Sequence, residues 1–259
     1  MKQETANVTK MKQNLPSTDL FEGDAQAGFD NMDQQDLALP FLRILGQLSP
    51  QVNERDSKYV KDAKPGMIYN TVTHEVYDGV KGINVIPCFY KREYIEWKDR
   101  GEGSGAPVAI HAGTSSIINE ATRDTINKDR LKNGNYLENT ASYFVIVQKE
   151  KGAETALITM KSTQLKVSKN WNSMMNGLKL QGKNGLFTPP MFSHVYNLKT
   201  VQQSNDKGTW FGWEVSKVGP IEDAALYQTA RTFAESISKG DVQVKHGEDD
   251  AAKATDAHY

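Results

Sequence analysis

Apolar positions are sparse up to about residue 36; beyond it they recur every second residue along most of the chain and every third or fourth along two segments. The first apolar run, LALPFLRILGQLSP at 37–50, contains Pro40, which argues against one helix through it and predicts a strand or short helix after the proline. Pro65-Gly66 marks a turn, 68–73 and 75–77 read as short paired strands, and Asp78-Gly79 reverses the chain. Residues 83–98 are the longest strand candidate. One face would carry Ile83, Val85, Phe89, Ile95 and Trp97, and the other Ile86, Cys88, Tyr90, Arg92, Tyr94 and Lys98. Pro87 lacks an N–H, so the strand is expected to be an edge strand or a bulged one.

GEGSGAP at 101–107 reads as a flexible loop. The stretch 112–140 is polar and weakly patterned, with a helix expected over 117–127 and a turn at Asn133-Gly134-Asn135. ASYFVIVQKEKGAETALITMK predicts a hairpin of 142–149 and 154–161 turning at Lys151-Gly152. Residues 163–178 predict a helix with Val167, Trp171, Met174, Met175 and Leu178 on one side. MFSHVYNLKTVQQ and GTWFGWEVSKV form a second hairpin around Asn205-Asp206-Lys207-Gly208. In GPIEDAALYQTARTFAESISKG, Pro220 is expected to open a helix with Glu222 and Asp223 in its first turn. Leu226, Ala230, Phe233 and Ile237 form its stripe, and Gly240 closes it.

No βαβ alternation runs through this order, so a doubly wound sheet is excluded in favour of a mainly β fold. The expected form is an OB-like antiparallel barrel with an inserted helix and a C-terminal helix. The organisation expected is a disordered acidic arm over 1–35, the domain over 36–240 and a disordered acidic tail over 241–259.

The charge changes this picture. A formal net of -1 over 259 residues averages unlike parts. Residues 1–38 carry three Lys and seven Asp/Glu, a net of -4, and residues 239–259 three Lys and five Asp/Glu, a net of -2. Within the body, 142–218 holds ten Lys against four acids, a net of +6. Two acidic ends around a basic body suit an anionic partner, although solvated tails are often acidic. No apolar run approaches a signal sequence or the roughly 18 residues of a spanning helix, so no membrane role is expected. The single cysteine, Cys88, leaves no intramolecular disulfide and suits a reducing cytoplasm.

Catalytic signatures are missing. His74, His111, His194, His246 and His258 include no pair at metal-ligand spacing, and the Gly-rich loop lacks the Gly-Lys-Ser/Thr of a phosphate loop. No nucleophile elbow, Walker or kinase pattern occurs. The expectation is a non-enzyme with no cofactor and no metal.

The chemistry that is present suits unpaired nucleic acid, which is gripped by cations along its phosphates and aromatic faces against its bases. Tyr90, Arg92, Tyr94 and Lys98 fall on one strand face, Lys166 and Lys169 on the helix, and Trp210 and Lys217 on the second hairpin. The ordinary alternative is that Trp97, Trp171 and Trp213 are core and that hairpin lysines are solvated surface. The tail adds Asp249, Asp250, Asp256 and a terminal Tyr259, a sequence able to compete for a basic groove and to reach partner proteins.

LPFLRILGQLSP and KPGMIYNTVTHEVYDGVKGINVIPCFYKREYIEWKDR resemble a family of tailed-bacteriophage single-stranded-DNA-binding proteins. The resemblance covers residues 37–100 well and the remainder loosely. It implies sequence-tolerant single-stranded-DNA binding in phage DNA replication or recombination, in the host cytoplasm. The tail likewise resembles those of bacterial and phage single-strand binders, with Ala257-His258-Tyr259 where those carry Phe. The partners expected are single-stranded DNA and, through the tail, replication or transcription proteins; a homo-oligomer is compatible with the sequence. The competing expectation is a phage structural or assembly protein that binds no nucleic acid.

Overall fold

The computed structural model describes residues 18–32, 36–99, 101–206, 208–242, 244 and 246. The chain divides into a unit over residues 1–37 and one over residues 38–259. In the first, a short helix α1 (Thr18–Gly23) is followed by turns. In the second, β1 (Leu42–Ile44), β2 (Ile68–Asn70) and β3 (Val76–Tyr77) make a small antiparallel sheet in that order.

The main sheet has eight strands and is curled into an antiparallel half-barrel. It contains β4 (Ile83–Trp97), β5 (Ala109–Ala112), β6 (Thr122–Arg123), β7 (Asp129–Arg130), β8 (Tyr136–Gln148) and β9 (Ala153–Lys161). Helix α2 (Leu165–Asn176) and a separate hairpin, β10 (Leu180–Gly182) with β11 (Gly185–Phe187), follow. Then β12 (His194–Asn205) and β13 (Gly208–Pro220) rejoin the sheet, and α3 (Ala224–Lys239) comes last. The order is β13-β12-β4-β8-β7-β6, with β9 also on β8 and β5 also on β4. The expected class, mainly β with an inserted and a C-terminal helix, is what the chain forms.

Strict alternation along β8 divides the core. Ala141, Tyr143, Val145 and Val147 face α2, which adds Trp171 and Met175. Phe144 and Ile146 face α3, which adds Ala230, Phe233, Ala234 and Ile237. Burying each such large side chain stabilises the fold by roughly 1.5–3 kcal/mol, and each helix contributes two, Trp171 and Met175 from α2 and Phe233 and Ile237 from α3.

Strand β4 lies between β8 and β12, but β12 pairs with it only over residues 83–85, so Pro87 stands where β8 alone is paired with the strand. It marks the bulge: the register with β8 shifts between Pro87 and Phe89. Cys88 and Phe89 therefore both join the α3 side, and the parity of the strand flips. The expected faces are corrected accordingly. Tyr90, opposite Tyr143, packs with Ile83 and Val85 instead of Ile86, and Arg92 and Tyr94 follow it by alternation. Burial pushes the Cys88 thiol up to about 12, so it remains a protonated core group.

Two helix expectations are corrected. Over 117–127 there is a 3-10 turn, Ser116–Glu120, and then β6. The Asp124 carboxylate accepts from the backbone N–H groups of Ile126 at 2.9 Å and Lys128 at 2.8 Å, offering the backbone a turn in place of a helix. Pro220 ends β13 instead of opening α3. The helix is capped by Asp223, which accepts from Ala225 and Leu226, and it closes on Gly240 at φ 85°.

Candidate nucleic-acid interface

The two-residue repeat of β8 points Tyr143 at α2, and the helical repeat points Trp171 back at it. Their rings stack at 4.3 Å with planes 24° apart. Tyr90 extends the row from β4, 5.1 Å from Tyr143, and Tyr196 of β12 meets Trp171 edge-on at 5.8 Å. The Tyr143 hydroxyl lies 2.8 Å from the Ser168 hydroxyl and 2.9 Å from Asn172 Oδ1, which fixes the rotation of α2. Burial raises the pKa of this phenol, so it stays a neutral donor.

Between α2 and the β12–β13 hairpin lies a cleft of about 280 Å³. Val167, Trp171 and Met174 form its helix side, and Val201, Trp213 and Val215 its hairpin side. Asn170, Gln203 and Glu214 supply polar groups. The volume lies just below the ~300–1,000 Å³ typical of small-molecule sites. The Trp171 indole N–H is buried and has no acceptor among the described residues. The backbone N–H of Trp213 donates to Gln164 Oε1 at 2.8 Å, tying the start of α2 to the hairpin.

Lys166 and Lys169 are exposed and adjoin the cleft residues Val167 and Asn170 in the chain. Trp210 is half-buried and donates through its indole N–H to Gln203 Oε1 at 2.9 Å, so it is anchored to the cleft wall. Tyr90 is half-buried one ring away from Trp171. Arg92 is exposed, donates to the Gly113 carbonyl and lies over the Tyr94 ring at 5.9 Å. Tyr94 itself is 7% exposed, which leaves its ring no open face for a base. Lys98 follows the end of β4, ~26 Å of strand along from Tyr90. Lys217 sits opposite Tyr196, ~23 Å of strand from Trp210. The structure thus places Trp210 at the cleft wall with Tyr90 behind it, sets Lys166 and Lys169 on α2 outside the face that lines the cleft, and leaves Lys98 and Lys217 apart. Asp249, Asp250, Asp256 and Tyr259 lie outside the described residues.

Many other cations are engaged. Lys149 pairs with Glu75 and Glu154, and Lys161 with Glu138. Lys128 and Arg130 pair with Asp99, and Arg130 also with Asp124. The Arg130 and Lys128 partners hold the Asp99 carboxyl below the usual range. Burial pulls the Glu96 carboxyl upward, but hydrogen bonds from Asn135, His111 and Asn133 outweigh it and keep the pKa low. By contrast, Lys166, Lys169 and Lys217 have no carboxylate partner among the described residues. The sequence carries a signal for this that residue spacing did not expose: 155–205 contains six Lys and not one Asp or Glu. That stretch includes α2, the β10–β11 hairpin and β12.

Among the described residues no cluster of His, Cys, Asp or Glu is arranged to hold a metal ion, and no helix is long and apolar enough to cross a membrane. A family profile described as Pam3 phage gp34-like protein matches residues 9–243. No curated protein and no solved structure matches the chain.

Proposed function

The chain belongs to the Pam3 phage gp34-like protein family, and from that premise we propose that it is a non-enzymatic, sequence-tolerant binder of single-stranded DNA. Its work would lie in phage DNA replication or recombination, in the host cytoplasm. The observation that carries the reading is the cleft between α2 and the β12–β13 hairpin, floored by two buried tryptophans, on a helix whose exposed Lys166 and Lys169 have no carboxylate partner among the described residues. An unpaired base lies over the half-buried rim of the cleft, Val167, Met174 and Val215, with the buried Trp171 and Trp213 beneath it, while its flanking phosphates meet the two ammonium groups. Trp210 and Tyr90 are the further aromatic contacts, and Arg92, Lys98 and Lys217 extend the cationic track. Tyr94 acts from beneath, supporting Arg92.

The acidic tail competes for the same cations when DNA is absent and reaches replication or transcription proteins when DNA is bound. Its residues are Asp249, Asp250, Asp256 and Tyr259.

Anisotropy titration of labelled oligo-dT tests the reading. Binding at low salt that weakens steeply as salt rises supports it. No binding at low salt overturns it, and recovery of the protein from purified virions would then favour a structural or assembly role.

A further inference from the structure

We propose that the β10–β11 hairpin is a second nucleic-acid contact, in which the Phe187 ring stacks on an unpaired base while Lys179 and Lys183 meet the adjoining phosphates. This rests on the single-stranded-DNA reading and extends it beyond the cleft.

The hairpin pairs Leu180 with Phe187, Gln181 with Leu186 and Gly182 with Gly185, turning on Lys183 and Asn184. A two-stranded ribbon of this length is marginal alone, and here it displays apolar groups: Leu186 is 70% and Phe187 47% exposed. The Phe187 ring is seated on Gly182, where a Cβ would come within 3.1 Å of it. Glycine lets the ring lie against the backbone and leaves its remaining surface to solvent. The Lys179 ammonium reaches the Thr188 hydroxyl across the hairpin base, and Lys183 stands at its tip.

An exposed phenylalanine beside two lysines could serve a base or an apolar protein surface. The charge decides between them. The hairpin lies inside the acid-free stretch 155–205, so no carboxylate of that stretch competes for Lys179 or Lys183. Such a surround complements a polyanion, and an aromatic ring serves any base because every base has a π-face. The hairpin directly follows α2, so Lys169 and Lys179 belong to consecutive elements of one acid-free stretch.

The test uses the full chain and labelled oligo-dT of about 10 and about 30 nucleotides, titrated across a salt series. Phe187→Ala is expected to weaken binding of the longer oligonucleotide about tenfold or more, and Phe187→Trp to restore it. Lys179→Gln with Lys183→Gln is expected to lower the log-log salt slope by about 1.4, since each phosphate neutralised on a single strand contributes roughly 0.7. Unchanged melting temperatures verify that these exposed changes leave the fold intact. If the wild-type chain binds and these variants bind like it at every salt, the hairpin proposal is wrong and the function stands. If the wild-type chain does not bind at all, both fall. If Phe187→Ala leaves oligo-dT affinity unchanged but lowers the sedimentation coefficient of the free protein, the hairpin joins copies of the chain and the proposal is overturned.

Discussion

The indole of Trp171 lies nearly parallel to the phenol of Tyr143, 4.3 Å away, so the ring that fastens α2 to the sheet is also the ring that lines the cleft. Stability and binding can be separated at this residue. Trp171→Ala should cost about 3–5 kcal/mol in chemical denaturation, the usual range for truncating a buried aromatic. Trp171→Phe keeps the stack and removes the N–H. It should cost less than half as much and leave oligo-dT affinity close to wild type, because the N–H is buried; a large loss of affinity for Trp171→Phe would show that a base reaches the indole.

Lys166→Gln with Lys169→Gln should leave stability within about 0.5 kcal/mol, as for most surface changes. The same pair should reduce the salt slope of oligo-dT binding by about 1.4. Lys161→Gln is the contrast. Its ion pair with Glu138 is mostly buried, so denaturation should register that change more than the salt slope does.

His194 is buried against Ser193 and opposed by the Lys217 charge; burial first, then that charge, hold its pKa below the ordinary histidine value. The unfolded chain therefore binds a proton that the folded chain resists. Stability is full above the unfolded pKa of about 6.5 and falls as pH drops below it toward the folded value. Melting temperatures measured from pH 7.5 to 5 should show this decline, and His194→Gln should flatten it. The carboxylates held low, Glu96 and Asp99, contribute a separate loss at more acidic pH.

Gly79→Ala should be costlier than the ~1–3 kcal/mol of ordinary overpacking. A Cβ there would collide with the Gly66 carbonyl and the Thr200 hydroxyl, which are hydrogen-bonded to each other across the turn. Asp223→Ala, which only uncaps α3, should cost about 0.5–2 kcal/mol. Guanidinium titrations of the two variants would rank them.

The parts of the fold legible in the sequence were those whose spacing repeats without interruption. Both long hairpins and the α2 and α3 stripes follow from alternation and helical repeat, because Trp171, Met175, Phe233 and Ile237 had no other way to be buried. Asp124 could not be read as a turn former, since its competition with the helix depends on which N–H groups its carboxylate reaches. Half of β8 was hidden for a related reason: Glu138, Asn139 and Thr140 look like loop residues until Lys161 and the neighbouring strands are in place. Of the site, the lysines of α2 and Trp210 were visible as types, but the cleft was not. It forms from Val167 and Val215, residues some fifty positions apart that spacing alone treats as ordinary core.

One extra residue in β4 has a consequence for the history of this chain. With Cys88 set into the bulge, the strand before it and the strand after it both match one unbroken alternation of β8. Removing that residue would bring Phe89 opposite Phe144 directly after Pro87 opposite Val145, and would leave Tyr90, Arg92 and Tyr94 on the α2 side, so a single codon can be lost here without turning the surface over. A one-residue gap between Pro87 and Phe89 is therefore expected to be tolerated among descendants that keep the same surface, whereas the same gap in the regular part of β4 after Tyr90 would turn every following side chain over and is expected to be purged.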